Sequence, residues 1–286
     1  MRFLSLPLLL SIALSGCVLF RAPDPARVPT TDDGTWYFIP LRDIPKTRYH
    51  TRHCAIFGRH VDGYNAYVLK GIDRAQAHAL DGGGYFIGKD ERPTESPIGY
   101  PVRLFGKRLL NPPRPTSYCS GSTYTALIEA LDMIYPLGRL RISSDRLEAM
   151  RMQEPDGGRR EDLIKYWGNW NADGNGSEFA LVQYSGMGEE IPPERARPGD
   201  FMNIAWTNGG GHSVVFLGWF VDTQNRLGVI WWSSAAGTNG MSDVVACPLD
   251  RIQSIKVVRL THPERVFHFD VAQPVDIHVP GDTFPH

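Results

Sequence analysis

The hydrophobic period of this chain changes near residue 201. That change limits it to folds that set helices ahead of an antiparallel sheet. Upstream, Tyr124, Leu127, Ile128, Leu131 and Ile134 recur at helical spacing behind Cys119, and Pro136 closes the run. Ser143 to Met152, Arg159 to Trp167 and Glu178 to Tyr184 are further helical candidates. Downstream, Phe201 to Trp206, Ser213 to Val221 and Leu227 to Ser233 read as three strands, joined by turns at 207–211 and 222–226. Helices followed by a meander predict an α+β domain.

The segment before Cys119 is mixed. Trp36 to Pro40, Tyr85 to Gly88 and Val102 to Phe105 read as short strands, Arg74 to Leu80 as one or two helical turns, and Asp81 to Gly84 as a turn. Three prolines between Asn111 and Ser117 make an extended approach to the helix. Hydrophobic residues make up 42% and charged residues 21%, enough for a real core. Thirty basic against 31 acidic residues leave a net charge of −1, with no basic stripe for nucleic acid.

At the N-terminus, Arg2 precedes an apolar run from Phe3 to Leu14, too short to span a bilayer. Leu14-Ser15-Gly16-Cys17 then resembles a bacterial lipobox. The resemblance implies lipidation of Cys17 and a lipid anchor in the membrane. Val18, where an Asp would signal inner-membrane retention, implies an outer-membrane lipoprotein facing the periplasm. Pro, Thr and Asp between Arg21 and Asp33 read as a tether. The expected organisation is a signal peptide at 1–16, lipidated Cys and tether at 17–34, a mixed extension at 35–110, a catalytic domain at 111–270 and a tail at 271–286. The remaining cysteines are Cys54, Cys119 and Cys247. An odd number implies at least one free thiol, and context points to Cys119; Cys54 and Cys247 read as core residues or a bridge.

Cys119 opens a helix, where unpaired N–H groups and the macrodipole favour a thiolate over the ordinary thiol of pKa about 8.5. His212 starts a strand after three glycines, which leave room for a substrate backbone. A Cys at a helix start facing a His on a strand is a papain-like pairing of nucleophile and base.

Three blocks carry a resemblance. Cys119-Ser120-Gly121, the Pro198-Gly199-Asp200 turn, and the strand from Gly211-His212 to Gly218 resemble, in that order, the NlpC-type cell-wall cysteine peptidases. Amidases of the CHAP type share the architecture. The resemblance implies a papain-like fold and cleavage of peptidoglycan peptides, with no cofactor. Tyr118 stands where that family commonly has Asp, and the 93 positions from Cys119 to His212 are long for a compact member.

A third group should orient the imidazole. A hairpin turn centred on Thr223 sets Ser234 opposite His212, whereas one centred between Gln224 and Asn225 sets Gly237 there, which has no side chain. Ser234 is therefore the expected third residue, with Ser233 and Asn239 behind it. Tyr100 and Tyr118 are candidate donors to an oxyanion. His50, His53 and Cys54 lie together, but no second cluster at zinc spacing accompanies them, so no metal is expected. The calcium-like rhythm at Asn171 to Gly176 lacks its acidic twelfth residue, which is Val182. Trp231-Trp232 reads as one core and one cleft-lining aromatic. The competing function is a non-catalytic, degenerate peptidase-fold lipoprotein that binds the cell wall or acts as a scaffold.

Overall fold

The computed structural model describes residues 36–61, 63–87, 98–112, 114–152, 154, 165–167, 176–275 and 282–283. The expected signal peptide, Cys17, the tether, most of the 159–167 helix and the 171–175 loop lie outside these residues. Among the described residues, no helix is long and apolar enough to cross a membrane.

Helices α1 (His53–Phe57) and α2 (Tyr64–Ala77) lead to a hairpin of β1 (Val102–Leu104) and β2 (Lys107–Leu110). Helices α3 (Cys119–Ile134) and α4 (Ser144–Ala149) and a π-helical segment, Glu178–Tyr184, follow. Then come β3 (Gly188–Ile191), β4 (Phe201–Trp206), β5 (Gly211–Val221), β6 (Leu227–Ala235), β7 (Gly240–Ala246), β8 (Ile252–Leu260) and β9 (Asp282–Thr283). The last seven form one antiparallel sheet. Strands β4 to β7 make a meander, β8 returns to pair with β4, and β3 and β9 both pair with β8. The class is α+β.

Alternation along the strands builds two cores. Phe201, Val215, Ile230 and Trp232 face a core shared with α2 and α3. Met202, Ile204, Val214, Phe216 and Trp231 face a second core on the other side. The first core also takes Val68, Leu69, Ile72, Leu104 and Leu109, so one core draws on residues from both sides of the expected boundary at 110.

Three early elements differ from the sequence reading. The turn expected near residue 74 is the end of a 14-residue helix. Gly71 interrupts its pattern because α2 packs tightly on α3: a Cβ there would sit 2.2 Å from the Ala126 carbonyl oxygen. Trp36 to Pro40 and Tyr85 to Gly88 each contribute a single backbone bridge, Phe38 to Trp219 and Tyr85 to Ser117, instead of a strand. Val102 to Phe105 is a strand only to Leu104, since Phe105 and Gly106 turn with φ of 52° and 75°. Two left-handed residues match the twist of a two-residue hairpin.

The N-terminal segment is tied down by charge. His53 is fully buried, with Nδ1 2.8 Å from Asp73 Oδ1 and Nε2 2.8 Å from Asp243 Oδ1. His50 Nε2 meets the other Asp243 oxygen at 3.0 Å. Burial alone would lower the His53 pKa, but Asp243 and Asp73 outweigh it and raise it from 6.5 to about 9. His53 is therefore an imidazolium that joins α1, α2 and β7. A raised folded-state pKa contributes stability that is complete below pH 6.5 and is lost as pH rises through about 9. His53→Ala leaves buried carboxylates short of a partner and should lower stability at pH 7 by about 3–5 kcal/mol. Urea titrations from pH 6 to 10 should also show that it abolishes most of the wild-type loss between pH 6.5 and 9; an unchanged pH dependence would disprove the assignment.

Candidate active site

The approach to α3 is fixed by backbone pairing. Ser117 donates its N–H to the Gly84 carbonyl and accepts from Phe86 N, both at 3.0 Å. Tyr118, extended at φ −126° and ψ 162°, is the N-cap residue. No side chain caps this end. The first turn instead uses its polar side chains against the sheet: Ser122 Oγ accepts from Ser234 N at 3.1 Å, and Thr123 Oγ1 pairs with Ser213 Oγ at 2.9 Å.

Those bonds seat the helix where β5 and β6 part. The ladder between the two strands runs from the turn to Val215 and Trp232. Beyond it, the main-chain groups of Ser213 are taken by side chains. Ser213 N–H donates to the Cys119 sulfur, and Ser213 C=O accepts from Ser233 Oγ at 2.6 Å. The sulfur thus takes the place of a β6 carbonyl, one residue along the strand from His212.

Cys119 is 3% exposed. Burial raises its thiol pKa, and the N–H groups of Ser213, Ser120 and Cys119 with the Tyr118 side chain only partly offset this. The expectation of a thiol acidified by its helix terminus is corrected: desolvation outweighs the donors. His212 pairs with Ile204 on β4 and is half-buried. Its ring meets the edge of Trp231 at 6.2 Å on the face opposite Ser213. Burial lowers its pKa to about 4. At neutral pH the thiol and the imidazole are therefore both neutral, and no hydrogen bond joins them among the described residues.

The hairpin register differs from both sequence alternatives. Val221 faces Leu227, and an irregularity between Phe216 and Gly218 advances β5 by one residue. Continued past Val215 and Trp232, the register sets Ser234 against Ser213 and Ala235 against His212. A one-residue slip moves a side chain to the other face. Ser234 accordingly faces α3, is fully buried, and accepts from Ser117 Oγ at 2.8 Å. Asn239 sits in a left-handed turn at φ 51° and reaches the Asp81 carbonyl at 3.4 Å. The hydrogen bonds of Ser234, Ser233 and Asn239 thus hold the scaffold.

The two tyrosines separate clearly. Tyr100 donates to Glu129 Oε1 at 3.2 Å and stacks on His78, whereas Tyr118 adjoins Cys119 and its ring lies 5.6 Å from that of Tyr85. The adjacent tryptophans point to opposite faces: Trp232 lies under α2 with Nε1 2.7 Å from Gln76 Oε1, and Trp231 covers His212. His262 lies on the surface between Glu189 and Glu264. Cys54 and Cys247 are both free thiols.

His50, His53 and Asp243 bring one ligand atom each within 4.8 Å. Each imidazole is hydrogen-bonded to carboxylate oxygen here. The two rings stack at 4.3 Å with planes 27° apart, so their Nε2 atoms run side by side and meet separate Asp243 oxygens. His53 also engages Asp73 through Nδ1.

Sequence reading missed Tyr85, Ser117, Ser122, Ser213 and Thr123. Only the run Cys119-Ser-Gly-Ser-Thr, unusually polar for a buried helix start, hinted at them. In comparisons with known proteins, no family model, no curated protein and no solved structure matches this chain.

Ser234→Ala should act on stability. It leaves the buried Ser117 hydroxyl without its acceptor, a loss of about 1–3 kcal/mol in a denaturant melt. A variant with wild-type stability would show that this contact does not hold α3.

Proposed function

We propose that the chain is a thiol hydrolase of papain-like fold that cleaves amide bonds in peptidoglycan stem or cross-link peptides. Cys119 is the nucleophile and His212 the base. The observation that supports it most is the 2.9 Å hydrogen bond between Thr123 Oγ1 and Ser213 Oγ, which packs the helix that Cys119 opens against the strand that carries His212.

The thiol proton passes to the neutral imidazole, and the thiolate attacks the substrate carbonyl. The Cys119 N–H, free of helix pairing, stabilises the oxyanion. His212 then delivers its proton to the leaving amine, and water cleaves the thioester by the same exchange in reverse. The exposed turn at Gly209, Gly210 and Gly211 gives the start of β5 the room to present the ring to the sulfur. A lipid on Cys17 anchors the domain to the outer membrane, facing the periplasm and its peptidoglycan substrate.

Mass spectrometry of muropeptides after incubation with the mature domain tests this reading. Cys119→Ala should give only background products. His212→Ala removes base and acid together, each contributing on the order of 10²-fold or more. Unchanged muropeptides with the wild-type protein would overturn the assignment. In cells, Cys17→Ala should move the protein from the membrane fraction to the soluble periplasm; retention after alkaline washing would reveal a different anchor.

A second reading, a non-catalytic wall-binding or scaffold lipoprotein, draws on the near-complete burial of Cys119. Co-sedimentation with sacculi, without product release, would favour it.

A further inference from the structure

We propose that His50, His53 and Asp243 form a binding site for one divalent metal ion of the zinc type, held by the Nε2 atoms of the two imidazoles and by the carboxylate. The inference does not rest on the hydrolase reading. It concerns a cluster that no step at Cys119 uses.

The backbone brings the three residues together. Asp243 N–H donates to the Arg48 carbonyl at 2.9 Å, and the Tyr49 hydroxyl donates to the Thr238 carbonyl at 2.8 Å. These bonds lay residues 48–50 along β7, just ahead of α1. His53 then enters from the first turn of α1. The side chains of His50, His53 and Asp243 are only 8%, 0% and 5% exposed, so packing holds the cluster in one place.

The donor set and its spacing suit the ion. His50 Nε2 lies 3.0 Å from Asp243 Oδ2 and His53 Nε2 lies 2.8 Å from Asp243 Oδ1, and one ligand atom from each of the three falls within 4.8 Å of the others. Zinc takes imidazole nitrogen and carboxylate oxygen at about 2.0–2.2 Å, which sets neighbouring ligand atoms of a tetrahedral site about 3.3 Å apart. The carboxylate has to withdraw by only about half an ångström to admit it. Three protein ligands leave the fourth position to water.

The surroundings are those of a ligating histidine. Such a ring commonly donates its other N–H to a carboxylate, which fixes the ring and makes its free nitrogen a better ligand. Asp73 does this for His53. Its Oδ1 lies 2.8 Å from Nδ1 and accepts the His53 main-chain N–H at 2.6 Å, while Oδ2 accepts from Cys54 N at 3.1 Å. His50 Nδ1 accepts from Arg52 N–H at 3.3 Å, a weak contact given up when the ring's proton moves from Nε2 to Nδ1 and frees Nε2 for the ion. The charges also balance: two carboxylates beside two neutral imidazoles match one divalent cation. Where no ion is bound, the His53 proton holds Asp243, so ion and proton compete for one place and binding releases that proton. A cavity of about 210 Å³ adjoins Asp243 between Lys46, Arg48, Thr238 and Val245, and gives an ion its way in. The sequence shows only the histidine pair, because the third ligand stands 190 residues beyond His53.

The test is a zinc titration of the untagged full-length chain, purified in detergent and stripped with a chelator, read by equilibrium dialysis and elemental analysis. The wild type should bind one equivalent. His50→Ala leaves His53 both of its carboxylates but removes one ligand, and should weaken binding by at least about 100-fold, the upper end of what loss of an outer partner costs. Asp73→Asn removes such an outer partner and should weaken it by about 10–100-fold. Cobalt(II) in place of zinc should give the spectrum of a nitrogen and oxygen site without a thiolate charge-transfer band, which separates this cluster from Cys54, Cys119 and Cys247. A wild type that binds no equivalent, or a His50→Ala variant of undiminished affinity, overturns the proposal. If His50→Ala does not fold, the wild type alone decides: thiolate absorption, or no cobalt bound, overturns it. No substrate enters the experiment, so its result stands apart from that of the muropeptide assay.

Discussion

The first turn of α3 fills the gap between β5 and β6, and the site depends on that insertion. Once the two strands part, the N–H and C=O of Ser213 lose their ladder partners, and a buried main-chain group without a partner is costly. Cys119 and Ser233 satisfy them. The same turn would strand its own hydroxyls, and Ser213 and Ser234 answer those. Helix and sheet thus complete each other at one junction. Moving either by one residue would leave several polar groups unpaired.

The elements of this junction were legible where local rules suffice. The stripe from Tyr124 to Ile134 and the stop at Pro136 define α3, and turn residues delimit β4, β5 and β6. What escaped was set by tertiary packing. Only the end of α2 was read, as one or two turns from Arg74, because what accounts for Gly71 within the helix, the Ala126 carbonyl, lies 55 residues away. The register of β5 on β6 turned on an irregularity at Leu217 that no turn-centred count can see. Ser234 was therefore assigned to His212 when its hydroxyl belongs to Ser117. The carboxylate partners of His50 and His53 were not legible beside them, because Asp73 and Asp243 arrive from α2 and β7.

Burial also reverses a simple electrostatic expectation. A helix terminus favours a thiolate, but that benefit is modest beside the desolvation of a nearly inaccessible sulfur. The same burial drives His212 toward its neutral form, so both shifts work against a resting ion pair. The N–H groups near the sulfur are uncharged donors, which cost little while the thiol is neutral and gain strength once it ionises.

The segment before α3 belongs to the same construction. His53 pins β7 through Asp243, and Gln76 on α2 donates to the Met241 carbonyl at 3.1 Å while accepting from Trp232. Met241 pairs with Ser234 and Asp243 with Trp232, so both anchors act on the stretch of β6 that receives α3. Met241 N in turn reaches Gly82, and Gly84 binds the Asn239 and Ser117 backbones, which leads to Tyr118. The glycines permit this approach: a Cβ on Gly240 would fall 1.9 Å from the Gly82 oxygen. A continuous set of hydrogen bonds therefore runs from the buried imidazolium through β7 and β6 to the helix that Cys119 opens. The N-terminal extension is part of the wall against which the site is built.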